Sequence, residues 1–215
     1  MSPPTEEEPI VEVKYLDMTG QFVFRFPSGY VQDSLGNEVV AFEEAKAAFN
    51  KERNVYELVR KDWRVGNIFQ LIAKNVPKGK SVYVFSIDPK NKMELHWPLP
   101  SETDAFTRCE LIPSVDAEIV MPNMEEGLRL AHRGEDNLVV LYSDYRIEDL
   151  EERMNKVHAS QAGTFNEKLN EGFGDLMVDM EGVEYQLDEM SFVSHTEKGE
   201  DTGCVVPLVL SVVAN

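Results

Sequence analysis

A chain of 215 residues has room for one large or two small domains, with an adequate core in either case. Its 21 Lys and Arg against 39 Asp and Glu give a formal net charge of −18, which argues against general nucleic-acid binding, where several cations must meet phosphates, and opposes approach to an anionic membrane. The hydrophobic content of 42% is ordinary for a folded soluble chain, and no run of about 18 apolar residues exists to span a bilayer, so no direct membrane insertion is expected.

Residues 1–9, MSPPTEEEP, have neither a basic nor an apolar stretch and read as a disordered, acidic, proline-rich leader rather than a signal peptide. Such a start suits a native N-terminus or the remainder after removal of a signal. Residues 10–215 show no break in composition and no internal repeat, which favours a single β-rich domain. Ile10 to Asp17 alternates, with Val11, Val13 and Tyr15 on one side, and Gln21 to Phe26 places Phe22, Phe24 and Phe26 on one face, so the pair predicts a hairpin turning at Met18 to Gly20. Ser28-Gly29 and Leu35-Gly36-Asn37 carry turn chemistry, with Tyr30-Val31 and Glu38 to Val40 as short strands. The period then changes: Phe42, Ala45, Ala48 and Phe49 predict an amphipathic helix over Ala41 to Arg53.

Val55 to Arg60 and Asn67 to Asn75 return to strand, and Pro77-Lys78-Gly79 links them to Lys80. From there Val82, Val84 and Ser86 share one face and Tyr83, Phe85 and Ile87 the other. Bulky groups on both faces predict a central strand covered on two sides. Asp88-Pro89-Lys90-Asn91 supplies a turn, and Met93 to Trp97 returns until Pro98 and Pro100 stop it. Past a loop at Leu99 to Asp104, Arg108 to Ile112 (ended by Pro113) and Ala117 to Met121 are short strand candidates. Leu128 to His132 and Leu138 to Ser143 bracket Arg133-Gly134-Glu135-Asp136, the pattern of a tight hairpin with Gly134 at positive φ.

Ile147, Leu150, Met154 and Val157 form a helical stripe, with Ser143 or Asp144 available as cap. Thr164 and Glu167 have the spacing of a capping box, opening a short helix that ends at Gly172 or Gly174. Val183 to Thr196 alternates again, a polar turn follows, and Cys204 to Val213 is a long buried strand in which Pro207 puts a gap in the ladder and favours an edge or a bulge there. Strands outnumber helices and come as hairpins. That predicts a mainly β (α+β) fold, an antiparallel β-sandwich or partly closed barrel with about three peripheral helices.

Side chains that carry chemistry are scattered along these elements. His96, His132, His158 and His195 share no metal-ligand spacing, and neither HExxH nor a CxxC pair occurs. Cys204 lies in an apolar strand, where a thiol is inert; Cys109 follows Arg108 but has no motif around it. The two cysteines suit one disulfide or two free thiols. Ser143 lacks a G-x-S-x-G elbow, and Gly172 to Asp175 ends a helix instead of opening one on a phosphate. The acidic turns at Glu197 to Asp201 and Arg133 to Asp136 lack the ligand order of a calcium loop. No catalytic residue, cofactor or metal ligand is assigned. The remaining option is a surface or groove formed by Trp97 with His96 beside it, Trp63, Tyr145 or Tyr30, which would take a peptide or glycan; burial in the core is the commoner fate of such rings.

Val65-Gly66 entering NIFQLIA, the segment VYVFSID, the Trp97-Pro98 step, Ile112-Pro113, and Gly134-Glu135 leading into LVVLYS with its terminal Ser143 together resemble a bacterial family known only as a domain of unknown function. That family lies at the C-terminal side of multidomain proteins with caspase-like peptidase or protein kinase domains. The resemblance covers roughly residues 63–145 and consists of turn glycines, buried strands and strand-ending prolines, so it implies a fold and no catalytic residue. Trp97 stands where the family usually has Phe, and the leader, the segment at Ala41 to Arg53 and the tail after Asp144 lie outside it. The resemblance implies a bacterial protein that is periplasmic, surface-bound or secreted; taken with the hairpin-dominated pattern and the lack of a catalytic constellation, it leads to the expectation of a non-catalytic interaction module acting on another protein. The alternatives are a thiol- or metal-dependent hydrolase with a site assembled from distant residues, and a regulatory partner of a peptidase or kinase.

Overall fold

The computed structural model describes residues 15–74, 79–98, 110–111, 119–121, 127–197 and 203–215. In chain order the strands are β1 Tyr15–Gln32, β2 Glu38–Ala45, β3 Ala47–Asn50, β4 Val55–Leu58, β5 Ile68–Lys74, β6 Lys80–Ile87, β7 Met93–Trp97, β8 Glu110–Leu111, β9 Ile119–Met121, β10 Leu128–Arg129, β11 Gly134–Ser143, β12 Val183–Tyr185, β13 Met190–Glu197 and β14 Val205–Ala214. The helices are α1 Leu150–Ala159 and α2 Phe165–Phe173. One sheet runs β10-β5-β1-β13-β12, with β2 also on β1 and β9 on β5; the other runs β3-β4-β14-β11-β6-β7, with β8 on β6. The named strand pairs are antiparallel except β4 with β14, which is parallel at Leu210↔Tyr56 and Ser211↔Glu57. The fold is thus a sandwich-like α+β arrangement of two sheets and not a closed barrel.

Alternation along the inner strands sets the layers. Val82 and Val84 of β6 meet Phe22, Phe24, Leu71, Val140 and Leu208 in the core between the sheets. Tyr83, Phe85 and Ile87 face the opposite way, where Val139, Leu141 and Val209 join them beneath Ile147, Leu150 and Val157 on the α1 side and Leu169 and Phe173 of α2. This is the two-sided burial that the alternation of bulky residues predicts. Each such side chain removed from water is worth about 1.5–3 kcal/mol.

The helix signals divide. Thr164 Oγ1 accepts the Glu167 N–H at 3.3 Å and the Glu167 carboxylate accepts the Thr164 N–H at 2.9 Å, completing the expected box, and Gly174 caps the other end. At α1 the cap position is Asp149, not Ser143 or Asp144, and it makes no capping bond; its carboxylate binds Arg153 at 2.8 Å.

Partners distant in sequence overturn several local expectations. β1 runs straight through Met18 to Gly20, where a hairpin was expected. Gly20 lies opposite Phe192, whose ring comes within 2.6 Å of where a Cβ would stand, so this glycine serves packing and not a turn. Ser28-Gly29 is likewise no turn; the β1–β2 register shifts there, between Pro27 and Gly29. No helix forms over Ala41 to Arg53. Phe42 stays in β2, Phe49 sits in β3 stacked on Tyr185 at 4.8 Å, and among the described residues two α-helices stand where about three were expected. The expected tight hairpin at Arg133 to Asp136 is a crossing between sheets, because β10 pairs β5 while β11 pairs β6 and β14. Gly134 does hold φ +115°, and a Cβ there would lie 2.9 Å from Pro89. Pro207 makes neither a bulge nor an outer strand: β14 keeps register with β11 from Ser143↔Val205 to Gly134↔Ala214. β4 reaches only Leu210 and Ser211, so the gap expected at Pro207 is present on that side of the ladder.

The expectations for the leader 1–9, Pro77-Lys78, the loop at 99–104, Cys109 and Pro113 fall outside the described residues. Among the described residues no helix is long and apolar enough to cross a membrane.

Candidate functional site

Beyond the body of the first sheet, β1 and β2 continue as a two-stranded arm. β13 leaves β1 at Phe22↔Met190 and β5 leaves at Arg25↔Gln70, whereas β2 follows it to Gln32↔Glu38. The turn at the tip is fixed by Asp33 Oδ1, which accepts the N–H groups of Leu35 and Asn37 at 2.9 and 2.8 Å, with Gly36 at φ +84°. Apolar side chains on this arm stand in water: Tyr30 is 71% exposed, Leu35 84%, Val31 52%, and Val39 and Val40 are exposed as well. Tyr30 pairs with Val40 and Val31 with Val39, so adjacent pairs place apolar groups on both faces. An apolar patch of this kind marks a contact surface more often than an accident of composition. Residues 26–45 carry Asp33, Glu38, Glu43 and Glu44 and no Lys or Arg.

At the foot of the arm lies a groove of about 510 Å³ walled by Phe26, Ser28, Glu43, Arg60, Trp63 and Ile68. Trp63 is buried beneath it, edge-on to Phe24 and Phe26 with centroids 5.5 and 5.3 Å away, and its indole N–H donates to the Arg60 carbonyl at 2.8 Å. The Arg60 guanidinium lies 4.8 Å over both the Phe26 and Trp63 rings and pairs with Asp62. Trp63 is therefore core residue and groove floor together.

A second feature is a narrow polar cleft of about 80 Å³ between the sheets, where Ser86, Asp88, His96, His132 and Asp136 meet. His96 Nε2 is 2.7 Å from Ser86 Oγ, and burial lowers the imidazole below its ordinary value, opposed by the Glu94 charge. His132 Nε2 is 3.3 Å from Asp88 Oδ2. Asp88 also ties the β6–β7 turn, accepting the N–H groups of Lys90 and Lys92 at 2.8 Å each. Burial, with the Asp88 charge added, pushes Asp136 up to about 6, and its Oδ2 is buried with no hydrogen-bond partner among the described residues. The expectation that ionisable groups are only scattered decoration fails here, because a crossing between sheets brings His132 and Asp136 to the β6–β7 hairpin. The space suits water-sized species. Among the described residues no set of three or more His, Cys, Asp or Glu is placed to hold a metal ion.

The remaining candidates lie apart from one another. Trp97 is half-buried against the inter-sheet core, its indole N–H buried and without a partner among the described residues. Tyr145 is exposed near Cys204, a free, buried thiol whose pKa burial raises, as an apolar strand predicts. His158 is exposed near the end of α1, and His195 pairs with Asp17 on the first sheet. Tyr30 on the arm and Trp63 beneath the groove are among the aromatic candidates expected from sequence, whereas Arg60 and the arm's branched residues are not. The available signal was a cation-free stretch with β-branched residues flanking the LGN turn.

No family model, no curated protein and no solved structure matches the chain.

Proposed function

We propose that this chain is a non-catalytic protein-interaction module that docks through the β1–β2 arm. The observation that carries the reading is the arm's exposure: aromatic and branched side chains on both faces of a ribbon that no third strand backs among the described residues. Two-stranded ribbons are marginal alone, and tyrosine is enriched among the residues that dominate interface energies. The burial and raised pKa of Cys204 speak against that thiol as a hydrolase nucleophile.

The test is cross-linking and recovery of complexes from the cells that make the protein, with wild type compared against Tyr30→Ser/Val40→Ser and Val31→Ser/Val39→Ser. A partner captured by wild type and lost by both variants at unchanged melting temperature is expected. Equal recovery by all three, or recovery of the chain alone, overturns the reading.

A further inference from the structure

Resting on that reading, we infer that the arm's occupant is an extended segment of another protein, alternating basic and apolar residues, which adds as a strand to the open edge of β1 and runs into the groove over Trp63. Phe24 and Arg25 pair with β2 and β5 at once, so those two strands lie on opposite edges of β1. β5 stops pairing at Arg25↔Gln70. From Phe26 to Gln32 the β5-side edge therefore has no strand partner among the described residues, and its length is that of an ordinary strand. Unpaired edge groups are a template for strand addition, in which main-chain bonds give affinity and alternate side chains give specificity.

The groove opens where β5 departs and continues the line of that edge, with Phe26, Trp63 and Ile68 as apolar floor. Pro27 has no N–H, so ladder pairing belongs to the residues beyond it and side-chain burial to the groove before it. Charge selects the segment. Of the four carboxylates of residues 26–45, Glu44 is met by Lys74 of β5 at 3.1 Å, so Asp33, Glu38 and Glu43 carry the selection in a stretch without Lys or Arg, and Arg60 is already paired with Asp62. A second copy of this chain would bring the same carboxylates and a charge of −18 against −18, which disfavours it as occupant.

The experiment uses the full chain and two blocked synthetic peptides of strand length, alternating Lys-Val and alternating Glu-Val, followed by fluorescence anisotropy and amide exchange. Lys-Val should bind at least about tenfold tighter than Glu-Val and weaken with added salt. It should protect amides in Gly29–Gln32, and lose affinity to Glu38→Lys/Glu43→Lys, two exposed positions. Methylating alternate peptide nitrogens should abolish binding if the segment joins as a strand. Equal binding of both peptides, or undiminished binding of the methylated form, overturns the inference. If neither peptide binds while the serine arm variants still lose a cellular partner, this inference falls and the docking reading stands; if the arm variants change nothing, both fall.

Discussion

The buried hydroxyl of Tyr83 accepts the backbone N–H of Ile147 at 2.7 Å, joining β6 to the segment that leads into α1. Both residues are almost fully buried, so no water stands ready to replace the bond. Tyr83→Phe keeps the ring and leaves an N–H unpaired, which costs about 1–3 kcal/mol. Urea unfolding should show a lower midpoint at unchanged slope. A midpoint equal to wild type would mean that the N–H finds another acceptor.

Arg153 performs the matching task between the helices. Its guanidinium donates to Asp149 at 2.8 Å, to Asp175 at 2.5 and 2.9 Å, and to the carbonyl of Gly172 at 3.0 Å. Lysine cannot reproduce that planar fork, so Arg153→Lys should lower stability by about 1–3 kcal/mol, chiefly by leaving a buried carbonyl unpaired. Gly172→Ala should act at the same junction, because its Cβ would stand 2.8 Å from the Arg153 carbonyl oxygen and press on the Val157 side chain. Chemical denaturation of the single and double variants checks both: effects that add fully would place the two residues in separate contacts.

What the sequence made legible was whatever depends on neighbours within one element. The two faces of β6, the capping box at Thr164 and Glu167, and the buried run of β14 all follow from local pattern and appear as expected. What it hid depends on distant partners. The stretch AFEEAKAAF has strong helix formers, yet it is held extended because Phe42 lies under the Arg25 guanidinium at 4.6 Å and Ala47 to Asn50 pair with β4; pairing of this kind overrides propensity. Gly20 resembles a turn glycine until Phe192 is placed opposite it. The polar cleft was hidden for the same reason, since His132 and His96 meet only through the crossing from β10 to β11.

The arm's apolar residues should matter little to folding. Tyr30→Ser with Val40→Ser changes groups already in water, so thermal unfolding should move by no more than about 0.5 kcal/mol per site. Phe24→Ala, at a fully buried ring stacked on Phe69 at 4.4 Å, should cost about 3–5 kcal/mol. A large loss in the arm variant would show that its side chains pack against the body of the protein, and would remove the surface on which docking depends.

Asp136 and His96 bias stability in opposite directions with pH. Asp136 titrates near 6 in the folded chain, because of burial and then the Asp88 charge, against 3.8 ordinarily. The folded state thus holds a proton that the unfolded state has lost, and stability falls as pH rises from 3.8 through 6 and is level above that. For His96 burial depresses the folded value below 6.5, so the unfolded chain takes the proton first and stability falls as pH drops below 6.5. Asp136→Asn removes the first effect. Its advantage over wild type should be larger at about pH 7 than at about pH 4, and solvent screening of a partly exposed carboxyl holds the difference to about 1 kcal/mol. His96→Gln should gain on wild type only on the acid side. Urea midpoints across this range decide the matter: an Asp136→Asn curve parallel to wild type would mean that the carboxyl titrates as an ordinary aspartate and that the cleft exerts no pull on its proton.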